Sequence, residues 1–334
     1  MTIIIVTWNS LKFLSFCLKS IFKQTFTDFS VIVVDNASQD KTVEFIKENY
    51  PQVTILRNTR NLGFAHANNQ GIQLSKSPYI LFSNPDIILE PDFLEKAIKS
   101  IEKEEKIASV GGKLLKLKAD FSLDQLPEIK KTDIIDSCGL EIFKSGKVIE
   151  WGMGERDSEK YSKEKEIFGV SGALVLYKKE VLEDLALAIS FRDKTHLEYF
   201  DEDFFAYKED VDLAWRARLY GYKAVFNPKA RAYHFRSVDQ FRRRKERPKL
   251  INILSYKNHL LTLVKNLTVT QFFLFWPFII FYELKKFFYI LFFERSTLLG
   301  LVQFFKKFSL AWRKRGIIMT KRRVSDKEVR QWFR

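Results

Sequence analysis

The sequence contains little cysteine. Only two of its 334 residues are cysteines, Cys17 and Cys138, and neither lies in the spacing of a metal-binding or disulfide motif. This scarcity excludes a disulfide-rich scaffold and fits a reduced compartment better than a secreted one. A signal-peptide pattern is also missing, because the apolar run after Met1 is short, lacks a basic segment and is typical of a strand.

Apolar and aromatic residues, by contrast, are plentiful. Apolar residues make up 46% of the chain, and 32 residues are Phe. This content is sufficient for a packed core and argues against global disorder. The length suits one large α/β domain with a smaller appendage.

The positive charge of the chain is concentrated in its last part. Residues 241–334 carry 22 Lys and Arg against 5 Asp and Glu, which leaves residues 1–240 with a net charge of −2 out of the total of +15. The first part is typical of a globular enzyme and the second of a segment that meets an anionic surface. We therefore predict a catalytic domain over residues 1–240 and a basic, aromatic-rich helical region over residues 241–334.

Strand and helix patterns alternate through the first 110 residues, which predicts βαβ units and an α/β fold with a mainly parallel sheet. Residues 113–165 are rich in Lys, Glu and Asp with little periodicity, and we predict a variable excursion over the active face there. Asp40 is the expected N-cap of the second helix. The predicted strands are 2–7, 31–34, 53–56 and 79–82, and the predicted helices are 11–22, 40–48, 64–74 and 91–101.

Polar residues follow all four of these strands. Ligands of such sheets bind beyond the carboxyl ends of the strands. One polar cluster would be a turn, whereas four in succession predict a crevice lined by polar groups. The clusters are Asn9, residues 35–38, residues 61–63 and residues 83–86.

Two carboxylates stand at these strand ends. Asp35 is compatible with a simple turn, and equally with a carboxylate that accepts the N3–H of a uracil or thymine ring. Asp86 is compatible with an Asx-type turn before the next helix. A carboxylate beside a diphosphate requires a cation between the two anions, so Asp86 is also a candidate metal ligand.

A third group of carboxylates lies between residues 200 and 212. The tetrad 209–212 opens a predicted helix, where acidic residues commonly complement the helix dipole. The preceding stretch 200–205 places carboxylates among aromatic rings, where desolvation would raise a carboxylate pKa and produce a useful base. His234, after a strand-like segment, is either structural or a cation ligand.

The C-terminal region combines aromatic and basic residues. Residues 271–293 contain 12 aromatic residues, and the uncharged run 266–282 is 17 residues long. A spanning helix needs about 20 predominantly apolar residues, so we favour amphipathic helices in a membrane interface over a true span. A helical layer packed on the catalytic domain, or a homodimer contact, is the alternative. The basic run 242–245 is compatible with nucleic-acid binding, but no base-stacking or helix-turn-helix signature accompanies it.

Several short motifs, in consistent order from residue 2 to about 236, carry a family resemblance. The sequence resembles glycosyltransferase family 2, the inverting enzymes of GT-A fold, and within it the rhamnosyltransferase-like branch that builds bacterial surface polysaccharides. The ordered set is far more specific than any one motif. The motifs are residues 3–9 (IIIVTWN), 33–38 (VVDNAS), 61–65 (NLGFA) with Asn68 and Asn69, 83–86 (SNPD), 170–173 (VSGA), 204–216 (FFAYKEDVDLAWR) and 232–234 (AYH).

The resemblance implies roles for the matching positions. Residues of the first motifs would bind the nucleotide sugar, with Ser38 and Asp40 supporting the base and ribose pocket. Asp86 would be the main metal ligand, although Asn84 replaces the first acidic residue of the family's Asp-X-Asp motif and removes one charge. The implied nucleotide-sugar site comprises Thr7, Asn9, Asp35, Ser38, Asp40, Asn61, Gly63, Asn68, Asn84 and Asp86.

The remaining implied roles concern the reaction itself. Asp210 matches the catalytic base, and His234 matches a position that often completes the metal shell around Mg²⁺ or Mn²⁺. Gly172, Ala173 and Glu209 would form the acceptor side. The implied partners are a nucleoside-diphosphate sugar, with dTDP-rhamnose favoured over a UDP-sugar, and a glycan or lipid-linked acceptor. The expected location is the cytoplasmic face of the cell membrane.

Two other functions compete with this expectation. One is a non-catalytic relative that binds nucleotide or carbohydrate, against which the acidic residues at positions 35, 86 and 210 argue. The other is sugar-nucleotide synthesis, a class that generally begins with a glycine-rich phosphate loop. The first strand is followed by Thr7-Trp8-Asn9-Ser10, which contains no glycine.

Overall fold

The computed structural model describes residues 1–120, 128–191, 194–236 and 248–334. The first part of the chain alternates between strands and helices. Its strands are β1 (Thr2–Thr7), β2 (Ser30–Asp35), β3 (Thr54–Arg57), β4 (Tyr79–Ser83), β5 (Ile87–Leu89), β6 (Ile107–Asp120), β7 (Glu128–Ser137), β8 (Leu140–Ile142), β9 (Val148–Glu150), β10 (Lys165–Ile167), β11 (Leu174–Lys178), β12 (Leu187–Phe191), β13 (Lys194–Glu198) and β14 (Lys223–His234). The helices between them are α1 (Leu11–Ile21), α2 (Thr42–Asn49), α3 (Phe64–Leu74), α4 (Phe93–Ile101), α5 (Lys179–Leu185) and α6 (Glu209–Leu219).

Ten of these strands form one mixed sheet. Its main path runs β10-β14-β6-β11-β4-β1-β2-β3, with β5 paired to β14 and β7 paired to β6. The strands β4, β1, β2 and β3 are mutually parallel, and β11 is antiparallel to both its neighbours. The predicted α/β fold with a mainly parallel central sheet is confirmed in this half of the molecule.

Helices cover both faces of the sheet, because alternate side chains of each strand point to opposite faces. On β1, Ile3 and Ile5 join a core with α1, α2 and α4, whereas Ile4 joins the core on the other face with α3, α5 and α6. Helix α3 lies close to β1 because it presents Gly71, where an added Cβ would come within 2.7 Å of the Ile4 side chain.

Residues 113–165, predicted as a variable excursion over the active face, instead contain regular strands. This stretch contains most of β6 and all of β7, β8 and β9, and β6 lies inside the main sheet. Its many charges hid the strand pattern: Lys113, for example, is buried in β6 because its Nζ pairs with Asp157 at 2.6 Å. Sequence periodicity fails where a buried cation takes the place of an apolar residue.

Two predicted helix starts also need correction. Helix α2 begins at Thr42 with Lys41 at its N-cap, so Asp40 lies one residue before the cap. The Asp40 carboxylate instead accepts hydrogen bonds from the backbone N–H of Thr42 and of Leu11, which joins this loop to the start of α1. Helix α4 begins at Phe93 instead of residue 91.

The C-terminal region is helical, with α7 (Lys249–Asn266), α8 (Val269–Phe293), α9 (Leu298–Thr320) and α10 (Asp326–Arg330). Helix α7 packs between α6 and α9. Among the described residues, no helix has the length and apolar character required to cross a membrane. The predicted domain boundary at residue 240 and the basic run 242–245 lie outside the described residues.

Candidate active site

A cleft of about 700 Å³ opens at the edge of the sheet where β4 ends. Polar residues from six separate segments of the chain line it. These lining residues include Asn84 and Asp86, Glu150, Ser171 with Gly172 and Ala173, residues 206–211, and His234 with Arg236. The cleft therefore brings together the predicted metal ligands, the predicted catalytic base and the predicted acceptor-side residues.

Asp35 lies at the end of β2 and is fully buried. Its carboxylate accepts hydrogen bonds from the Thr7 hydroxyl and from the Ser38 backbone N–H, both at 3.0 Å, and from the Ser38 hydroxyl. Arg57 approaches the same carboxylate at 3.8 Å. Since β1 and β2 are parallel neighbours with Thr7 opposite Asp35 in register, the sheet itself brings these residues together.

The loop beside Asp35 is held by Asn9. The Asn9 backbone N–H donates to the Ser38 hydroxyl at 2.8 Å, and its side-chain oxygen accepts from the Gln39 backbone N–H at 2.7 Å. Asn9 and Ala37 adopt left-handed backbone conformations, with φ of 52° and 60°. Such conformations cost about 1–3 kcal/mol each and persist where surrounding contacts impose them.

The segment 61–68 is fixed by its own contacts and by hydrogen bonds to Asn36 and Phe205. The Asn61 side chain accepts from the Gly63 backbone N–H, and the Asn68 side chain donates to the Phe64 carbonyl. Gly63 has φ of 88°, and an added Cβ would lie 2.6 Å from Phe205. The glycine therefore allows this segment to touch the loop that precedes the helix of Asp210.

Asp86 and His234 face each other across the pairing of β5 with β14. His234 lies opposite Ile87 in the register, which places its Nε2 3.2 Å from Asp86 Oδ1. Its Nδ1 lies 2.8 Å from Asp136 Oδ2. Burial disfavours the charged imidazolium, but Asp86 and Asp136 outweigh this effect and raise the pKa of His234 to about 9.

Asp136, Glu150 and Arg236 were not predicted from the sequence. Arg236 pairs with Asp136 at 2.7 Å and approaches Glu150 at 3.7 Å. Glu150 also accepts a hydrogen bond from the Ser171 hydroxyl at 2.9 Å, and burial raises its pKa to about 7. Asp136 and Glu150 lie near the ends of β7 and β9, within the stretch that lacks sequence periodicity. They could have been found only if those two strands had been predicted.

Asp210 lies in the first turn of α6 and lines the same cleft. Its Oδ2 accepts from the backbone N–H of Gly172 at 2.9 Å, and its Oδ1 accepts from that of Val211 at 2.8 Å. An added Cβ on Gly172 would lie 3.1 Å from the Asp210 Cβ. Gly172 thus provides the close approach that joins the 171–173 loop to α6.

Glu209, beside Asp210, is buried in the same turn. Burial and the charge of Asp210 raise the pKa of Glu209 to about 8. Its Oε2 has no hydrogen-bond partner among the described residues. The strained backbone before it, with φ of 65° at Phe205 and 71° at both Tyr207 and Lys208, turns the chain sharply into α6.

The expectation that carboxylates in 200–205 gain a raised pKa is wrong for Asp201 and Glu202. Although burial favours the neutral acid, Lys265 and Lys314 lower the pKa of Asp201. Glu202, also partly buried, is bound by Asn69 and His66, which lower its pKa. Buried cations from the C-terminal helices were not foreseen as partners of this acidic stretch.

The C-terminal helices therefore take part in building the site. The Asn258 side chain of α7 donates to the carbonyls of Phe204, Ala206 and Tyr207. Lys314 of α9 is fully buried and pairs with Asp203 at 2.9 Å, as well as with Asp201. These contacts hold the backbone that leads into the Asp210 helix.

One cluster outside the cleft offers three possible metal donors, namely His196, Glu198 and Glu202. Two of its members are already engaged: Glu198 pairs with Lys314 at 2.7 Å, and Glu202 lies 2.7 Å from His66. The cluster is therefore explained by ion pairing within the fold.

A family model, described as glycosyl transferase family 2, matches residues 2–186. This chain belongs to that family. The match covers the fold from β1 through α5, including Asp35, Asp86 and Gly172. Asp210 and His234 lie beyond the matched residues, so their roles depend on the geometry of the cleft and on the motif resemblance.

Comparisons with individual proteins agree with the family. The chain is 29% identical over 156 residues to a dolichyl N-acetyl-alpha-D-glucosaminyl phosphate 3-beta-D-2,3-diacetamido-2,3-dideoxy-beta-D-glucuronosyltransferase of Methanococcus voltae, a match covering 43% of this chain and 48% of the relative. The chain thus spans less than half the length of the curated relatives that it matches.

Two solved structures share the fold at 16% identity. GalNAc-T7 with UDP, GalNAc and Mn²⁺ aligns with a TM-score of 0.58 over 79% of this chain and 47% of its own. The mannosyltransferase PcManGT from Pyrobaculum calidifontis, in complex with GDP-Man and Mn²⁺, aligns with a TM-score of 0.51 over 96% and 85%. The GT-A-like fold is therefore shown for this family member.

Proposed function

We propose that this protein transfers a sugar from a nucleoside diphosphate to an acceptor hydroxyl, with inversion of the anomeric configuration. One observation carries the proposal: a single cleft is lined both by Asp86 and His234, which lie 3.2 Å apart, and by Asp210, which is bound to Gly172. A donor diphosphate bound beside Asp86 and an acceptor hydroxyl bound beside Asp210 would lie on opposite sides of the anomeric carbon.

The pair of Asp86 and His234 fits a divalent cation such as Mn²⁺ or Mg²⁺. Asp86 offers one carboxylate oxygen and His234 one ring nitrogen, 3.2 Å apart, and both residues are largely withdrawn from solvent. Asp136 binds the other ring nitrogen, an arrangement that commonly orients metal-ligating histidines. A cation bound there would stabilise the charge of the departing diphosphate. Two solved proteins with this fold contain Mn²⁺.

Asp210 supplies the base. The Asp210 carboxylate takes the proton of the acceptor hydroxyl while that oxygen bonds to the anomeric carbon and the carbon–oxygen bond to the diphosphate breaks. The backbone N–H groups of Gly172 and Val211 each bind one carboxylate oxygen, which fixes the orientation of the group. No covalent intermediate with the enzyme is required.

For the donor we propose dTDP-rhamnose, because the ordered motifs resemble the rhamnosyltransferase-like branch, and for the pathway the synthesis of a cell-surface polysaccharide. Asp35, at the end of β2, is the proposed partner of the base N3–H, which uracil and thymine share. A UDP-sugar is therefore the alternative donor. The relative from Methanococcus voltae is named for an acceptor linked to dolichyl phosphate, which supports a lipid-linked acceptor.

A donor screen tests the proposal. Diphosphate release would be measured with UDP-, dTDP- and GDP-sugars, with and without Mn²⁺, for the wild type and for Asp210→Asn. We expect the variant to bind donor normally and to lose transfer by roughly 10²–10⁴-fold, as is typical when a general base is removed.

The matched control is Glu180→Gln, which neutralises an exposed carboxylate on α5. It should leave turnover unchanged. Near-normal transfer by Asp210→Asn would refute its role as the base. Donor binding without turnover for every sugar tested would favour a non-catalytic relative instead.

A further inference from the structure

Helices α8 and α9 each expose many apolar side chains. Thirteen large apolar side chains on α8 and five on α9 are exposed, among them Phe281 at 72%, Phe292 at 64% and Phe305 at 66%. Exposed apolar patches of several hundred Å² are rare on soluble monomers and commonly mark interaction sites. We call the exposed face of residues 269–313 the aromatic face.

Both helices nevertheless have a well-packed inner side. Phe275, Ile279 and Ile290 of α8 are buried, at helical spacings that form one stripe. Ala311 and Ile318 are buried on α9, together with the cation of Lys314. Each helix is therefore anchored along its length on the protein, and the aromatic face lies parallel to the molecular surface on its outer side.

The exposed charges among residues 269–320 are all positive. They belong to Lys285, Arg295, Lys306, Lys307 and Arg313. The two acidic residues of this stretch are withdrawn from solvent, because Glu283 lies 2.7 Å from His259 and Glu294 is buried. A surface of aromatic and cationic side chains without exposed carboxylates is complementary to anionic lipid headgroups above an apolar layer.

A second copy of this chain is a poorer partner for the same face. A two-fold symmetric contact would place the same patch on both subunits. The cations of one copy would then oppose those of the other, with no exposed carboxylate on the face to compensate them. The charge pattern therefore favours an anionic surface over self-association.

Helices α8 and α9, which carry the aromatic face, contact α7, and α7 lines part of the cleft. Ile251 and Ser255 of α7 line the cleft. Next to them, Lys286 of α8 lies 4.5 Å above the ring of Tyr256, and Gly300 of α9 packs against the Ile253 carbonyl. The end of α8 and the start of α9 are thus joined to the cleft-lining turn of α7.

We propose that the aromatic face binds an anionic lipid surface with α8 and α9 lying in the interface, and that this contact presents the cleft to an acceptor carried by the membrane. The second part rests on the proposed sugar transfer, whereas the first part depends only on the surface itself. Exposed Phe and Trp side chains would enter the headgroup region, and Lys and Arg would meet lipid phosphates.

Co-sedimentation of the full chain with vesicles tests the surface. Phosphatidylcholine vesicles would be compared with vesicles that contain phosphatidylglycerol at low and moderate salt. We expect binding to the anionic vesicles that weakens with salt and persists in part, because apolar burial is insensitive to screening. Binding that does not differ between the two lipid compositions would overturn the electrostatic part.

Two double variants locate the contact. Phe281→Ser with Phe305→Ser should lower vesicle partitioning by at least about tenfold, as expected for two exposed aromatic side chains. The control is Leu74→Ser with Leu197→Ser, which removes exposed apolar side chains elsewhere. Lys285→Glu with Lys306→Glu should weaken anionic-vesicle binding, whereas Lys23→Glu with Lys76→Glu should not.

Other readouts separate the possible failures. Equal partitioning of the surface variants and their controls would refute the proposal. So would a wild-type dimer in solution that becomes monomeric in the Phe281/Phe305 variant while neither protein binds vesicles. The surface variants should bind soluble donor as tightly as the wild type. A wild-type protein that binds vesicles but never turns over a donor would contradict the proposed transfer, whereas the proposed lipid contact would still hold.

Discussion

The backbone N–H of Gly172 donates a hydrogen bond to Oδ2 of Asp210 at 2.9 Å. This bond joins the loop before β11 to the first turn of α6, two segments almost forty residues apart in the sequence. The 171–173 loop therefore sets the position of the proposed base. Any residue larger than glycine at position 172 would crowd the Asp210 side chain.

Gly172→Ala should displace the base without unfolding the protein. An added Cβ would lie 3.1 Å from the Asp210 Cβ, so the two segments must separate by a few tenths of an ångström. Since a small misplacement of a reacting group can cost about 10²-fold, we expect kcat to fall by roughly 10–100-fold while donor affinity is kept. Gly316→Ala is the control, because nothing lies within 4 Å of its added Cβ. Equal kcat values for the two variants would contradict the prediction.

Asp136→Asn should weaken cation binding although Asp136 is no proposed ligand. Its carboxylate binds the ring nitrogen of His234 that points away from Asp86. Loss of such a partner typically costs about 10–100-fold in metal affinity. Calorimetric titration with Mn²⁺ and nucleoside diphosphate would measure the change. Asp133→Asn, an exposed carboxylate on the same strand, should titrate like the wild type, and similar Mn²⁺ affinities for both variants would leave Asp136 without this role.

Glu150→Gln should change how stability depends on pH. Burial raises the pKa of Glu150 from 4.5 to about 7, so the folded state holds this proton more tightly than the unfolded chain. The stabilisation is complete below about pH 4.5 and is lost as pH rises through about 7. As the pH rises through this window, the unfolding free energy of the variant should increase by on the order of 1–3 kcal/mol relative to that of the wild type. Parallel wild-type and variant curves in denaturant titrations from pH 4 to 8 would refute the shift.

Asn258→Ala should loosen the backbone that leads into α6. Three carbonyls, those of Phe204, Ala206 and Tyr207, lose their side-chain donor. Unsatisfied buried polar groups cost about 1–3 kcal/mol each, so we expect lower unfolding free energy and a fall in kcat together. Asn49→Ala removes an exposed asparagine on α2 and should change neither. A stable variant with full activity would show that the loop holds its conformation without α7.

The first half of the fold was predictable because its local and global signals agree. The strands β1 to β4 are apolar and short, the helices between them are amphipathic, and Phe64–Leu74 begins and ends as predicted. The cluster of Thr7, Asp35 and Ser38 follows directly from two parallel neighbours that end at the same edge. No long-range information was needed for these elements.

The other half depended on buried charge, which sequence patterns represent poorly. Lys113, Lys265 and Lys314 are buried, and each is neutralised by carboxylates distant in the sequence. Asp136 was missed for the same reason, since its strand contains many charged residues, and Glu150 ends a strand of only three residues. A charged side chain indicates a surface position until its partner is known, and the partner becomes visible only in three dimensions.

The pairing of Lys314 with Asp203 and of Asn258 with the adjoining carbonyls bears on how such proteins can be recombined. Helix α6 and the C-terminal helices are joined by buried polar contacts, such as those of Lys265 and Asn266 with Asp212. A chimera that grafts the C-terminal helices of a relative onto residues 1–236 would therefore need helices that supply the equivalents of Asn258, Lys265 and Lys314, because their carbonyl and carboxylate partners lie within residues 1–236. Buried contacts therefore limit which C-terminal helices can replace the present ones. Substitutions in residues 198–212 and in the C-terminal helices should occur as matched sets.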